Sequence, residues 1–144
     1  MRLLLDTHVL LCVALGDDRR IAAPWVRAIK DRHNEIWVSV VSLWELAVKL
    51  RLGRLTLPDP VSAWLSDAEA RASDGYATLA IAERHVWGTL ALPFHHRDPF
   101  DRLLIAQAID EELTLLSVDR ALARYPVTLA WADRSARTGT KERS

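Results

Sequence analysis

Segments rich in apolar residues alternate along the chain with amphipathic segments, and this alternation predicts the order of strands and helices. Apolar segments at 3–5, 35–39, 76–79, 114–118 and 127–131 predict five strands, the last of them at the edge of the sheet. Segments at 8–15, 17–29, 42–50, 61–71, 82–90 and 98–112 predict helices. This alternation indicates an α/β fold, in which a mostly parallel sheet lies between helices.

Acidic residues recur where a strand gives way to a helix. Asp6 follows the first predicted strand and Asp119 follows the fourth, while Glu45 and Asp101 lie in the early parts of two helices. The carboxyl ends of parallel strands meet at one edge of a sheet, and ligands bind there in such folds. We therefore expect the four carboxylates at the same rim.

Each of these acids also has a structural explanation. Asp98 before Pro99 is typical of a helix N-cap, and Asp101 suits the positive end of the same helix dipole. Taken alone, Glu45 is best explained by an exposed ion pair with Lys49 one turn later. Four acids at one rim with no paired lysine nevertheless favour a shared site.

The chemistry of such a site follows from its charge. Crowded carboxylates stay ionised together only if a cation lies among them, and hard oxygen ligands suit Mg²⁺ or Mn²⁺. The histidines and Cys12 show no zinc-ligand spacing. A carboxylate-held cation that retains water is suited to phosphodiester hydrolysis, and the sequence contains no Gly-x-Ser-x-Gly, P-loop or dinucleotide-binding motif.

Composition sets limits and leaves the function open. The 144 residues suffice for one domain, and Lys+Arg and Asp+Glu cancel at 19 each, so no global charge indicates a nucleic-acid partner. We expect a domain at 1–132 and a basic, flexible tail at 133–144. The lone Cys12 excludes a disulfide framework and favours a cytoplasmic location, and no stretch is long enough for a membrane span.

Four motifs carry a specific resemblance. The segments LLDTH at 4–8, SLWE at 42–45, DPFDRLLIA at 98–106 and SVD at 117–119 resemble the PIN-domain ribonucleases in order and spacing. Within that family the chain is similar to the VapC-type toxins of type II toxin–antitoxin systems, over residues 2–132. The resemblance implies a PIN-like three-layer α/β/α sandwich with a central parallel sheet of four to five strands. It also implies a Mg²⁺- or Mn²⁺-dependent endoribonuclease, a homodimer, and a cognate antitoxin that blocks the site.

The same resemblance assigns roles to individual residues. It gives catalytic and metal-binding roles to Asp6, Glu45, Asp101 and Asp119, the last at a less strict position. Thr7 matches a position whose hydroxyl supports the first acid. For Asp98 two interpretations stay open, a helix cap or an extra outer-sphere carboxylate, and cap statistics favour the cap.

Contacts with the RNA substrate are assigned only as candidates. They are His95, His96, Arg97 and Arg102, although a solvated loop explains the first three equally well. Trp44 could stack on a base, but its apolar neighbours favour core packing, and we expect Trp87 to face inward.

Three other classes of protein compete with the nuclease. A phospho-acceptor signalling domain needs an acidic pair at the end of the first strand, whereas Asp17 and Asp18 come one helix later. An aspartyl-phosphate phosphatase needs a second acid two residues after the first, where this chain has His8. A non-catalytic α/β interaction module, in which the acids are helix caps and ion pairs, is the alternative outside enzymology.

Overall fold

The computed structural model describes residues 1–95, 98–132 and 140–141. The strands of this part of the chain are β1 (Arg2–Leu5), β2 (Glu35–Ser39), β3 (Tyr76–Leu79), β4 (Thr114–Ser117), β5 (Leu129–Trp131) and β6 (Thr140–Lys141). Its helices are α1 (Thr7–Leu15), α2 (Ala23–Lys30), α3 (Val40–Arg51), α4 (Asp59–Leu65), α5 (Ala68–Ser73), α6 (Glu83–Gly88) and α7 (Pro99–Asp110). None of them is long and apolar enough to cross a lipid bilayer.

The strands form one sheet in the order β3-β2-β1-β4-β5-β6. The first five are parallel, which confirms the expected parallel sheet, and β6 pairs antiparallel with β5. The prediction that β5 is an edge strand is therefore wrong. The sequence did not predict β6 because its segment is polar and has no strand pattern. Apart from Thr140 and Lys141, the expected tail at 133–144 lies outside the described residues.

The sheet is buried on both faces, as the apolar runs of its strands require. Leu3 and Leu5 belong to a buried cluster with residues of α1, α2 and α4, such as Leu10. Leu4 points to the other face and belongs to a second cluster with Leu104 and its neighbours on α7. The two clusters on opposite faces confirm the three-layer α/β/α sandwich.

At the carboxyl edge of the sheet, three strands are followed at once by a helix or a turn that is capped by a side chain. After β1, Asp6 accepts a hydrogen bond from the Val9 amide at 2.8 Å. Ser39, the last residue of β2, accepts one from the Val41 amide at 3.0 Å. After β4, Asp119 caps the 3₁₀ turn Arg120–Arg124. These short connections fix the side chains that follow them at one rim.

Three segments that we expected to be single helices are each divided. The segment 17–29 has a 3₁₀ turn at Asp18–Arg20 before α2, and 82–90 has α6 followed by the 3₁₀ turn Thr89–Ala91. In 61–71, Asp67 accepts hydrogen bonds from the amides of Glu69 and Ala70 and so starts α5 as a separate helix. The expectation that Trp87 faces inward is also wrong, since it is 65% exposed.

Candidate functional site

A pocket of about 270 Å³ opens at the carboxyl edge of β1 and β4. The strand ends place Asp6 and Asp119 there, α3 contributes Glu45, and α7 contributes Asp101. The full lining consists of Asp6, Thr7, His8, Leu11, Glu45, Leu46, Lys49, Asp101, Val118 and Asp119. The structure thus brings together the four acids that the sequence singled out, with Thr7 beside them.

Asp6 is a buried residue of the pocket lining. One carboxylate oxygen caps α1, and the other accepts a short hydrogen bond from the Ser117 hydroxyl. Burial raises the pKa of Asp6, and the hydrogen bonds from Ser117 and Val9 act against that rise. The Ser117 hydroxyl also accepts a hydrogen bond from the Asp119 amide at 3.0 Å, so it ties the two strand ends together.

Glu45 is held at both of its oxygens. Thr7 Oγ1 donates to Glu45 Oε1 at 2.8 Å and lies 3.0 Å from Ser42 Oγ. Lys49 Nζ lies 2.8 Å from Glu45 Oε2. The expectation that these acids have no paired lysine is therefore wrong: the i,i+4 ion pair forms, and it lines the pocket.

The pKa of Asp101 reflects its burial and the acidic residues around it. Burial raises its pKa to about 7, with further contributions from the charges of Asp98, Glu45, Asp6 and Asp119. Like charges that disfavour ionisation in this way favour the entry of a cation. The pocket therefore has the charge of a cation site.

The donor set fits a divalent cation such as Mg²⁺ or Mn²⁺. Asp6, Glu45, Asp101 and Asp119 offer carboxylate oxygens, the ligand type that both ions prefer. All four lie within the described residues, and no three of them bring one oxygen each to within 4.8 Å of one another. The oxygens of Asp6 and Glu45 are instead held by Ser117, Thr7 and Lys49.

A second group of potential ligands lies outside this pocket. His85 Nε2 is 2.9 Å from Glu111 Oε1 and 3.4 Å from Asp110 Oδ2. The Ala82 amide donates to His85 Nδ1 at 3.0 Å, so Nε2 carries the proton of the neutral ring and donates to Glu111. The Arg84 guanidinium binds both carboxylates. This group is an ion-pair cluster that joins α6 to the end of α7.

The other candidate residues within the described part of the chain, Asp98, Arg102 and His95, do not line the pocket. Asp98 is exposed and caps α7, accepting a hydrogen bond from the Phe100 amide at 2.9 Å. Arg102 donates to the carbonyls of Thr89 and Pro93, each at 2.8 Å, which fixes the loop before α7. The ring of His95 packs on Tyr125. His96 and Arg97 lie outside the described residues.

Trp44 is exposed, contrary to our expectation of core packing. Its side chain is 52% accessible and meets the Phe100 ring edge-to-face, with 4.8 Å between the ring centroids. The prediction failed because α3 buries only part of its circumference, and Trp44 falls on the outer part.

Sequence reasoning missed three residues of the pocket region: His8, Lys49 and Ser117. His8 and Ser117 lie within the motifs LLDTH and SVD, next to acids that were recognised. Lys49 was considered only as a surface partner of Glu45. Its position four residues after Glu45, one of the four candidate acids, was the available signal.

Comparisons with known proteins agree with this fold and show the family to which the chain belongs. The PIN domain family profile matches residues 3–127, and the chain belongs to the PIN-domain family. The chain is 30% identical over 131 residues to Ribonuclease VapC22 of Mycobacterium tuberculosis (strain ATCC 25618 / H37Rv), which covers 88% of this chain and 96% of that protein. The expected resemblance to VapC-type members is thereby confirmed.

Two solved structures share the fold. A chain of VapBC2 from Rickettsia felis, solved with a DNA fragment from its promoter, superimposes with a TM-score of 0.69 at 16% identity, covering 92% of this chain and all (100%) of that chain. A chain of a toxin–antitoxin complex from Klebsiella pneumoniae gives a TM-score of 0.55 at 16% identity, with coverage of 83% and 89%. At these identities the likeness concerns the fold alone.

Proposed function

We propose that this protein is a Mg²⁺- or Mn²⁺-dependent endoribonuclease that hydrolyses RNA phosphodiester bonds. The observation that carries the proposal is the convergence of four carboxylates on one pocket, where burial and then the charges of the neighbouring acids raise the pKa of Asp101 to about 7. The similarity to a relative named as a ribonuclease, across nearly the whole chain, supports the substrate class.

In this mechanism Asp6, Glu45, Asp101 and Asp119 would hold the cation. A divalent cation at this place would offset charge on the phosphate and lower the pKa of water towards neutral pH. Thr7 and Ser117 orient Glu45 and Asp6 through the hydrogen bonds described above. We propose that a phosphate of the RNA backbone enters this pocket at the carboxyl edge of β1 and β4.

We propose that a cognate antitoxin neutralises the enzyme and that the chain forms a homodimer. The likeness to chains of VapBC2 and of a toxin–antitoxin complex supports an antitoxin partner. The homodimer is supported by a group of large apolar side chains that are exposed within residues 86–94: Val86, Trp87, Leu90 and Phe94. We assign this face to a second copy of the chain.

Metal binding and cleavage, measured separately, test the enzyme. We expect EDTA-stripped wild-type protein to bind Mn²⁺ in calorimetry and to cleave RNA only when the metal is restored. The double variant Asp6→Asn/Asp101→Asn should lose both properties and remain folded, because each change removes a ligand charge at nearly constant volume. Asp18→Asn, at an exposed acid paired with Lys30, is the matched control and should behave as wild type.

The same experiment distinguishes the nuclease from a non-catalytic interaction module. Asp6, Asp98 and Asp119 each cap a helix or turn, which is the observation that favours a non-catalytic interaction module. If wild-type protein binds Mn²⁺ no better than the double variant, the acids are caps and ion pairs and the nuclease proposal fails.

A further inference from the structure

Lys49 is the cation that the pocket already contains. Among the residues that line the pocket, all of them described, it is the one with a permanent positive charge. Its Nζ lies 2.8 Å from Glu45 Oε2, and Thr7 occupies the other oxygen. Glu45 therefore has no oxygen without a partner while Lys49 is in place.

The burial of the two partners is unequal. The Glu45 side chain is 10% exposed and the Lys49 side chain is 47% exposed. A buried carboxylate needs a compensating charge, whereas a half-exposed ammonium on a flexible stem can turn to solvent at little cost. The ion pair is thus arranged so that the lysine can leave and the glutamate cannot.

An ordinary surface ion pair elsewhere in the chain provides a comparison. Lys30 Nζ lies 2.9 Å from Asp18 Oδ2, but both of these side chains are at least half exposed, at 66% and 50%. Such a pair contributes little to stability and faces no acidic pocket. The two pairs have nearly the same length and differ in what surrounds the carboxylate.

We propose that Lys49 is the internal counterion of the site, a conclusion that rests on the proposed metal-dependent activity. While no divalent cation is bound, Lys49 holds Glu45 in position and offsets part of the charge of the carboxylates. A divalent cation competes with the ammonium group for Glu45 Oε2 and displaces it. The displaced ammonium group then lies at the mouth of the pocket, where it binds a phosphate of the RNA substrate.

Lys49→Met removes the charge and keeps much of the length and apolar character of the side chain. We expect the Mn²⁺ dissociation constant of EDTA-stripped protein, measured by calorimetry, to fall roughly tenfold, the size expected for removing a unit charge near a divalent ion. At saturating Mn²⁺ we expect KM for RNA to rise severalfold with kcat nearly unchanged. Metal affinity and substrate affinity should therefore change in opposite directions.

Two further variants isolate the role of the charge. Lys49→Arg keeps the positive charge and should restore both the Mn²⁺ dissociation constant and KM towards the wild-type values. Lys30→Met is the matched control, since it removes the lysine of the exposed pair with Asp18, and it should change neither quantity.

The outcomes separate this inference from the proposed function. If wild-type protein binds Mn²⁺ but Lys49→Met binds it with the same affinity, Lys49 is an ordinary ion-pair partner and the inference is wrong. An unchanged KM in that variant removes the phosphate contact. If wild-type protein binds Mn²⁺ no better than Asp101→Asn, the metal-dependent function itself fails and the counterion role fails with it.

Discussion

Asp101 combines burial with four acidic neighbours, and both effects disfavour its ionised form. Its pKa of about 7 lies well above the ordinary value of 3.8. Between these two values the folded protein binds more protons at this site than the unfolded chain does. Without metal, the contribution of Asp101 to the free energy of unfolding therefore falls as pH rises through this window.

Asp101→Asn should consequently stabilise the metal-free protein while abolishing cleavage. At pH 8 we expect a gain of about 1 kcal/mol in the free energy of unfolding, after allowing for solvent screening of a half-buried group. At pH 4 the gain should nearly vanish, because Asp101 of the wild type is then mostly protonated. Urea unfolding in EDTA at the two pH values measures this difference, and an equal effect at both would contradict it.

Individual residues of the pocket could be predicted to different degrees. Asp6, Asp101 and Asp119 were recognisable because each follows a strand or lies in the first turn of a helix. Glu45 lies in the middle of α3 and was recognised through the motif SLWE, and the motifs also assigned Thr7 as a support. Ser117 acts on Asp6, which is distant in the chain. Lys49 acts on Glu45, which lies one helical turn earlier. Ser117 reaches Asp6 because β1 pairs with β4, and the ion pair of Lys49 matters because Glu45 is buried. Neither fact can be read from the sequence.

At the scale of elements, the start of α7 gives different positions to the two aspartates of the motif DPFDRLLIA. Asp98 caps the helix from an exposed position, and Asp101 lines the pocket one turn later. We expect Asp98→Ala to lower the free energy of unfolding by about 1 kcal/mol through loss of the cap. Asp98→Asn should retain that stability, since asparagine also caps helices.

Both Asp98 variants should retain metal-dependent cleavage if the cap is the main role of this residue. Urea unfolding and RNA cleavage, measured on the same preparations, provide the comparison. Loss of activity in Asp98→Asn with unchanged stability would instead make Asp98 part of the site.

Gln107 connects three elements around the second core cluster. It is fully buried, and its Oε1 accepts a hydrogen bond from Ser39 Oγ at 2.5 Å. Its Nε2 donates to the Ala80 carbonyl at 3.2 Å and lies 3.3 Å from His85 Nδ1. Through Gln107 the N-cap of α3 is joined to α6 and α7.

Gln107→Leu should lower the free energy of unfolding by about 1–3 kcal/mol, because it leaves buried polar partners without a hydrogen bond. A double-mutant cycle with Ser39→Ala, followed by urea unfolding, measures how much of this loss depends on Ser39. Additive effects of the two changes would show that the contact between Ser39 and Gln107 contributes nothing.

Among the elements, strands were more predictable than helix ends. The apolar runs located the five parallel strands because both faces of the sheet are buried, and this leaves a continuous pattern. A capping aspartate such as Asp67 looks the same in sequence whether it starts a helix or lies within one. The exposure of Trp44 and Trp87 was missed because side-chain burial depends on which helices lie next to each other.

At the scale of the whole molecule, the exposed apolar side chains of 86–94 require an explanation. Trp87, Leu90 and Phe94 are 65%, 77% and 72% exposed and lie within nine residues of chain. The Arg102 guanidinium, 5.0 Å from the centre of the Phe94 ring, fixes this loop against α7. A fixed apolar face is suited to association, since little conformational entropy is lost when it is covered.

If this face joins two copies of the chain, Leu90→Lys should convert the dimer into a monomer by placing a charge in the contact. Analytical ultracentrifugation of the full chain should give twice the monomer mass for wild-type protein and the monomer mass for the variant. Leu52→Lys is the matched control, because Leu52 is 59% exposed at the end of α3 and outside this face. A wild-type monomer, or a dimer that persists in Leu90→Lys, would contradict the assignment.

Because Leu90 lies outside the lining of the acidic pocket, the Mn²⁺ affinity should be the same in monomer and dimer.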